Sequence, residues 1–309
     1  MKQIENNDWT KNSPYDRFSY FIASKVDRYK TLLTTIEKLG LNSFVISIGD
    51  NRHIFILPPD KKLPRLKGDS FPFAGESPYL FVAHYDRVQG SPGANDNSIA
   101  VFHLLHAANT FIKRGINQWI ILFTDKEELK QGESFEKQGS FALGQKLKSW
   151  GLDKAKIFNF DSCGTGDTFV ISTITDLILG NSDNPNITKL KDSIRLLRNH
   201  TLETTHQLRL DKVLLAPIPV CDDVGFLRAG FAAQTITMLP AAEASHYEEI
   251  LRKYPEFSKL LISGEIKTSA ERRHLPVTWR NINTPADTPD RLTPQYFEQV
   301  TDFITAIVR

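Results

Sequence analysis

Residues 79–97 read YLFVAHYDRVQGSPGANDN, and the order of parts within them decides the fold. The apolar run over 79–86 has the length of a strand and no polar alternation until its end, as expected of a strand covered on both faces. His84 and Asp86 stand at its carboxyl end. A loop containing Gly90 and Gly93 then delivers Asn95-Asp96-Asn97 to the start of an amphipathic helix predicted over 97–113. A buried strand feeding a helix through a short polar loop is the repeating unit of a parallel α/β sheet.

The same alternation continues on the carboxyl side. QWIILFTD (118–125) predicts a second apolar strand, 138–150 a helix, KIFNFDSC (156–163) a third strand and TFVIST (168–173) a fourth. A helix near 185–199 and a short one from Asp222 lead to the strand AAQTITML (232–239), and a helix over 294–308 closes the chain. On the amino side, Phe18, Phe21, Ile22, Val26, Tyr29, Leu32, Leu33, Ile36 and Leu39 recur at helical steps, which predicts one N-terminal helix over about 14–40 capped by Gly40. SFVISIG and RHIFILP, joined at Asp50-Asn51, read as a β-hairpin, and 59–78 as an irregular Pro-, Lys- and Gly-rich loop. The expected architecture is a three-layer αβα sandwich with a mixed, mostly parallel central sheet. It is expected to form one domain over 1–309 with an insertion at about 241–282.

Composition narrows the function. A hydrophobic fraction of 40% is ample for a core, while a net charge of +2 without basic runs leaves no electrostatic footprint for nucleic acid or a membrane surface. No stretch approaches the ~20 apolar residues of a membrane span. The polar N-terminus MKQIENNDWTKNSPYDRF lacks a signal-peptide pattern, so a cytoplasmic setting is expected. Cys163 and Cys221 make no disulfide framework and are expected to be buried or free thiols. The expected partner is a small molecule or short peptide, and the oligomeric state is left open.

Chemistry collects at the predicted strand ends: His84 and Asp86, then Asp96, then Asp125, Glu127 and Glu128, then Asp161. Taken singly, each has an ordinary explanation. An Asp before a helix is usually an N-cap, a Glu-Glu pair a solvated face, a strand-ending Asp a turn residue. Taken together they crowd several carboxylates onto one rim, which is unfavourable unless a cation compensates. Mixed imidazole and carboxylate donors suit zinc with an open position for water. A carboxylate able to bridge two ions, with a free Glu beside it, suits two-metal hydrolysis.

The stretches AHYDRV, SPGANDNSIA, LFTDKEEL, NFDSCG, CDDVGFLRAGF and TPADTPDRL together resemble metallopeptidase family 28 (clan MH). That family includes the bacterial dizinc leucine aminopeptidases and the animal glutaminyl cyclases. The resemblance runs from about residue 79 to the end and implies a phosphorylase/hydrolase-like zinc-exopeptidase fold. It implies that His84 and Asp161 are terminal ligands of a first zinc, that Asp96 bridges two ions, and that Glu128 serves the second. It further implies Glu127 as general base, Asp86 as the carboxylate that orients His84, and a cis peptide at Asp96–Asn97.

The pattern departs at one ligand. The family's last ligand is a histidine directly before a Thr-Pro-x-Asp-Thr run, and here Asn283 precedes Thr284-Pro285-Ala286-Asp287-Thr288. An amide oxygen is neutral and a poorer zinc ligand than imidazole, so one ion is expected and the second is open. Asn283 could bind weakly, His246 or His274 could replace it, or the enzyme could run on one metal. Two smaller departures are a longer stretch LKQGESFEKQ after Glu128 and Cys221-Asp222-Asp223 where the family often has Ser-Asp-His, which makes Asp223 a candidate substrate contact. The leading expectation is a zinc aminopeptidase acting on short peptides. Second is a one-zinc glutaminyl-cyclase-like acyltransferase, ranked lower because Trp119, Trp150 and Trp279 stand outside clear motifs. Third is a catalytically silent peptide-binding homologue, which Asn283 would explain directly.

Overall fold

Eight strands form one sheet in the order β1-β2-β4-β3-β5-β8-β6-β7 in the computed structural model, which describes residue 11 and residues 14–63, 71–130, 132–263, 266 and 270–308. The polar N-terminal stretch through residue 10, part of the 59–78 loop and parts of the 241–282 segment lie outside the described residues. The strands are β1 (Ser43–Ile48), β2 (Asn51–Ile56), β3 (Tyr79–His84), β4 (Trp119–Thr124), β5 (Lys156–Phe160), β6 (Thr168–Ser172), β7 (Val213–Ala216) and β8 (Ala233–Leu239). β4, β3, β5 and β8 run parallel in the centre. The predicted hairpin adds β1 and β2 antiparallel at one side, and on the other β6 lies antiparallel to β8 and parallel to β7.

The helices are α1 (Phe18–Phe21), α2 (Arg28–Lys38), α3 (Ile99–Lys113), α4 (Gly139–Ser149), α5 (Ile174–Leu179), α6 (Pro185–Gln207), α7 (Asp222–Arg228), α8 (Ala241–Lys253), α9 (Phe257–Ser263), α10 (Val277–Asn281) and α11 (Phe297–Ala306). Side chains on a strand alternate faces, and β3 shows what that does. Phe81 and Ala83 join Phe18, Phe21, Leu32, Phe102, Leu105 and Phe303 on the side of α1, α2, α3 and α11. Leu80 and Val82 join Leu143, Leu147 and Phe226 on the side of α4 and α7. The apolar run without alternation is therefore buried twice, which is the three-layer sandwich. A third cluster, with Val170, Leu239, Tyr247, Phe257 and Trp279, packs α8–α10 against the β6 and β8 end of the sheet. No helix among the described residues is long and apolar enough to cross a membrane.

Two helices differ from their predicted form. The single helix expected over 14–40 is broken: a short turn and α1 end at Ile22, and α2 starts afresh where the Asp27 side chain accepts from the Lys30 N–H at 3.1 Å. Asp27 is an N-cap that the apolar periodicity ran straight through. The other end holds: Gly40 takes φ +65° and the Leu41 N–H bonds Ile36 O at 3.2 Å, closing α2 as a Schellman turn. α6 runs to Gln207 because Thr201, Thr204 and Thr205 are buried and Thr201 and Thr204 turn their hydroxyls back onto the carbonyls of Leu197 and His200. Those threonines continue the buried stripe without looking apolar.

Candidate metal centre

Parallel strands in register end at the same rim. His84 pairs with Thr124 and Val82 with Asn159, so the segments after β3, β4 and β5 emerge side by side. This is where open α/β sheets bind ligands. Asp96 comes from the turn that precedes α3. Gly93 makes that approach possible: at φ +64°, an added Cβ there would sit 2.7 Å from the Asp96 carbonyl oxygen. The Asp96–Asn97 peptide is cis.

The buried His84 ring lies between carboxylates. Its Nε2 is 3.0 Å from Asp96 Oδ1 and 3.7 Å from Asp161 Oδ2, and its Nδ1 is 3.4 Å from Asp86 Oδ1. Asp86 also accepts the N–H of Glu127 at Oδ1 (3.2 Å) and of Glu128 at Oδ2 (3.1 Å). One donor atom each from His84, Asp96 and Glu128 falls within 4.8 Å of the others. Asp96, Glu127, Asp161 and Asn283 line one cavity of about 60 Å³, whose remaining wall includes Ile218, Pro219, Val220, Cys221, Trp279 and Ile282. The structure thus brings His84, Asp86, Asp96, Glu127, Glu128 and Asp161 together at one end of the sheet, with Asn283 facing the same space. It does not bring His246 or His274 to the cavity: His246 is exposed beside Glu249, and His274 pairs with Glu271 at 3.1 Å. Asp223 is fully buried and does not line the cavity, so the site gives it no place as a substrate contact.

Electrostatics mark this as a place for a cation. Burial pushes the Asp161 carboxyl up to about 7, and Asp96 beside it adds to the effect. Burial likewise holds Glu127 well above the usual carboxylate range, with Glu128, Asp161 and Asp222 acting the same way and His84 opposing. Burial disfavours the charged imidazole of His84, yet its bonds to Asp86 and Asp96 outweigh that and raise it well above its ordinary value. Protons crowd onto these groups because several negative charges share a dry site. The donor set, one imidazole with carboxylates and an oriented second ring nitrogen, fits zinc.

Several supporting residues have tasks that the sequence does not reveal. The Asp287 carboxylate accepts the N–H of Asn95 at 2.8 Å and of Asp96 at 3.0 Å, and so holds the turn that presents Asp96. The Asn97 side chain bridges Phe160 O and Ser162 N, tying that turn to the end of β5. Gln138 donates to Glu127 Oε1 at 3.2 Å. Asp222, buried at the start of α7, accepts the Thr124 hydroxyl at 2.5 Å. Asp287 lies within a quoted motif but its task appears only in three dimensions. Cys163 and Cys221 are free and buried.

Comparison with known proteins agrees with the fold. The profile described as peptidase family M28 matches residues 65–308. BSAP, a zinc aminopeptidase from Bacillus subtilis, is 19% identical with a TM-score of 0.50 over 83% of this chain and 49% of its own. The present chain therefore spans about half the length of that enzyme. LapA aminopeptidase of Legionella pneumophila is 12% identical with a TM-score of 0.60, over 95% of this chain and 68% of its own. Porphyromonas gingivalis glutaminyl cyclase is 15% identical with a TM-score of 0.59, over 95% of this chain and 94% of its own. At these identities the likeness is one of fold. No curated protein matches the sequence.

Proposed function

The chain belongs to peptidase family M28, and from that membership we propose that it is a zinc-dependent aminopeptidase acting on short peptides. The observation that carries the reading is the convergence of His84, Asp96, Asp161 and Glu128 on one rim, with Glu127 facing the same cavity. His84, Asp96 and Asp161 would hold one zinc, with Glu128 adjoining. Zinc supplies Lewis acidity at the scissile carbonyl and neutralises the crowded carboxylates. One ion is the proposed stoichiometry, because the second position has Asn283 where the family pattern places imidazole.

The remaining work belongs to the protein. Glu127, buried and steadied by Gln138, takes a proton from the attacking water and passes it to the amine leaving group, so one water is consumed and one acid and one amine are released. Asp86 lies 3.4 Å from Nδ1 of His84, placed to orient the ring, and its two oxygens hold the backbone of Glu127 and Glu128.

A second reading has one observation in its favour. Trp279, outside any motif, walls the cavity together with Ile218, Val220 and Ile282. A small apolar and aromatic pocket would suit cyclisation of an N-terminal glutaminyl residue. Assay of the zinc-loaded chain on aminoacyl anilides, dipeptides, their N-acetylated forms and glutaminyl peptides separates the possibilities. Release of N-terminal amino acids from free but not acetylated substrates is expected, with Glu127→Gln reducing turnover by at least ~100-fold. Cyclisation alone would favour the second reading. Neither activity would leave the chain a peptide-binding homologue.

A further inference from the structure

The profile match begins at residue 65, yet a side chain well before it reaches the loop that carries two of the site carboxylates. Arg28 opens α2, and it is buried. Its Nη1 donates to Asp86 O at 3.2 Å, and its Nη2 donates to Ser98 Oγ. The Ser98 hydroxyl in turn donates to Gly93 O. One guanidinium thus grips both ends of residues 86–98, the segment that presents Asp86 and Asp96. It lies 4.4 Å over the ring of Phe21, which fixes its plane, and at Gly93 any side-chain carbon would sit 3.1 Å from Nη1. Burial lowers Arg28 only to about 9, so it is a cation at neutral pH.

The loop returns the grip. Arg87 Nη1 donates to Ile22 O at 2.7 Å and to Pro92 O at 2.9 Å, and its Nη2 donates to Ala23 O at 2.9 Å. The Ile22 and Ala23 carbonyls belong to the turn between α1 and α2, where the helix expected over 14–40 is broken, while Pro92 O lies within the loop itself. The break leaves the Ile22 and Ala23 carbonyls within reach of Arg87, and the restart at Asp27 aims Arg28 into the loop. Two arginines, one from each segment, clasp the N-terminal segment to the metal-site loop.

We propose that Arg28 is a positioning residue for the metal centre, and that the segment before residue 65 is a working part of the site through this clasp. The proposal rests on the zinc reading above, and its test reads zinc binding rather than turnover. Zinc(II) affinity of the full chain is measured by competition with a chromophoric chelator, below the melting temperature of every variant used. Arg28→Gln is expected to weaken zinc at least ten-fold, in line with the ~10–100-fold effects of outer partners at metal sites. Arg28→Lys, which keeps the charge but loses the fork, is expected to fall between it and wild type. Ile36→Ala, a core deletion on the same helix, controls for loss of packing and is expected to lower thermal stability while leaving zinc affinity within two-fold. The proposal is overturned if Arg28→Gln binds zinc as wild type does, or if Ile36→Ala weakens it equally. Wild-type chain that binds zinc but hydrolyses nothing would remove the aminopeptidase reading and leave this comparison intact. Wild-type chain that binds no zinc would overturn both.

Discussion

Gln138 Nε2 lies 3.2 Å from Glu127 Oε1 and 3.4 Å from the carbonyl oxygen of the same residue. One buried amide therefore holds both the backbone and the carboxyl of the proposed base. A donor to a carboxylate favours its charged form, which here opposes the burial that raises Glu127. Gln138→Ala is expected to lower kcat by about ten-fold with little change in KM, and to move the acidic limb of the kcat profile to higher pH. Steady-state kinetics over a pH series checks both, and an unmoved limb would count against the assignment of Glu127.

Asn283 has φ +60°, a left-handed conformation that asparagine and histidine adopt more readily than most side chains. The backbone is therefore suited to the imidazole that the family pattern places there. Asn283→His is expected to raise bound zinc from one ion to two per chain, with a gain in peptidase turnover, read by elemental analysis on dialysed protein. One ion in both forms would show that the second position is closed for another reason.

Asp287→Asn tests the support beneath Asp96. The carboxylate accepts two backbone N–H groups, whereas an amide offers one oxygen and turns its own N–H₂ toward the other donor. A loss of about 1–3 kcal/mol in stability is expected, the usual cost of leaving a buried polar group unpaired. Zinc affinity should fall with it. Chemical denaturation and chelator competition on the same samples provide the two readouts, and an unchanged zinc affinity would make Asp287 a folding residue only.

Acid stability has a specific contributor on α3. His103 on α3 is fully buried, its Nδ1 is 2.8 Å from the Tyr15 hydroxyl, and its ring packs edge-on to Phe297. Burial lowers its pKa from 6.5 to about 3, with His106 on the same helix acting in the same direction. Between those values the unfolded chain takes the proton and the folded chain does not. This contribution is therefore complete above about pH 6.5 and shrinks as the pH falls toward 3. His103→Gln should lose less stability between pH 7 and pH 5 than wild type does, measured by urea midpoints. Parallel acid slopes would refute it.

How much of this was legible beforehand depends on whether the signal was local. The apolar runs of β3, β4, β5 and β8 fixed the central sheet, because a strand buried on both faces leaves no other pattern. His84, Glu127, Glu128 and Asp161 are readable as polar residues following strands and Asp96 as one at a helix start, and the structure gathers them at one rim. β7 was not readable, since VLLA is four residues at a sheet edge and partly exposed. Arg28 was hidden for a different reason. On a helix its charge reads as a solvated face, and only the fold reveals the carbonyl and hydroxyl that surround it. Trp279 likewise acquires meaning only when α10 packs beside the cavity.

The grip of Asp86 on three neighbours also bears on how such a site can diverge. Its carboxylate contacts the ring of His84 and the backbone of both Glu127 and Glu128, so a change there would disturb the proposed ligand, the proposed base and the adjoining carboxylate at once. Position 283 stands apart from that linkage, on a separate segment that reaches the cavity from the far end of the chain. If Asn283 occupies a ligand position as proposed, a change at residue 283 would alter the number of ions without dismantling the rest. On that reading the site is modular on one side and indivisible on the other, and Asn283 stands on the modular side.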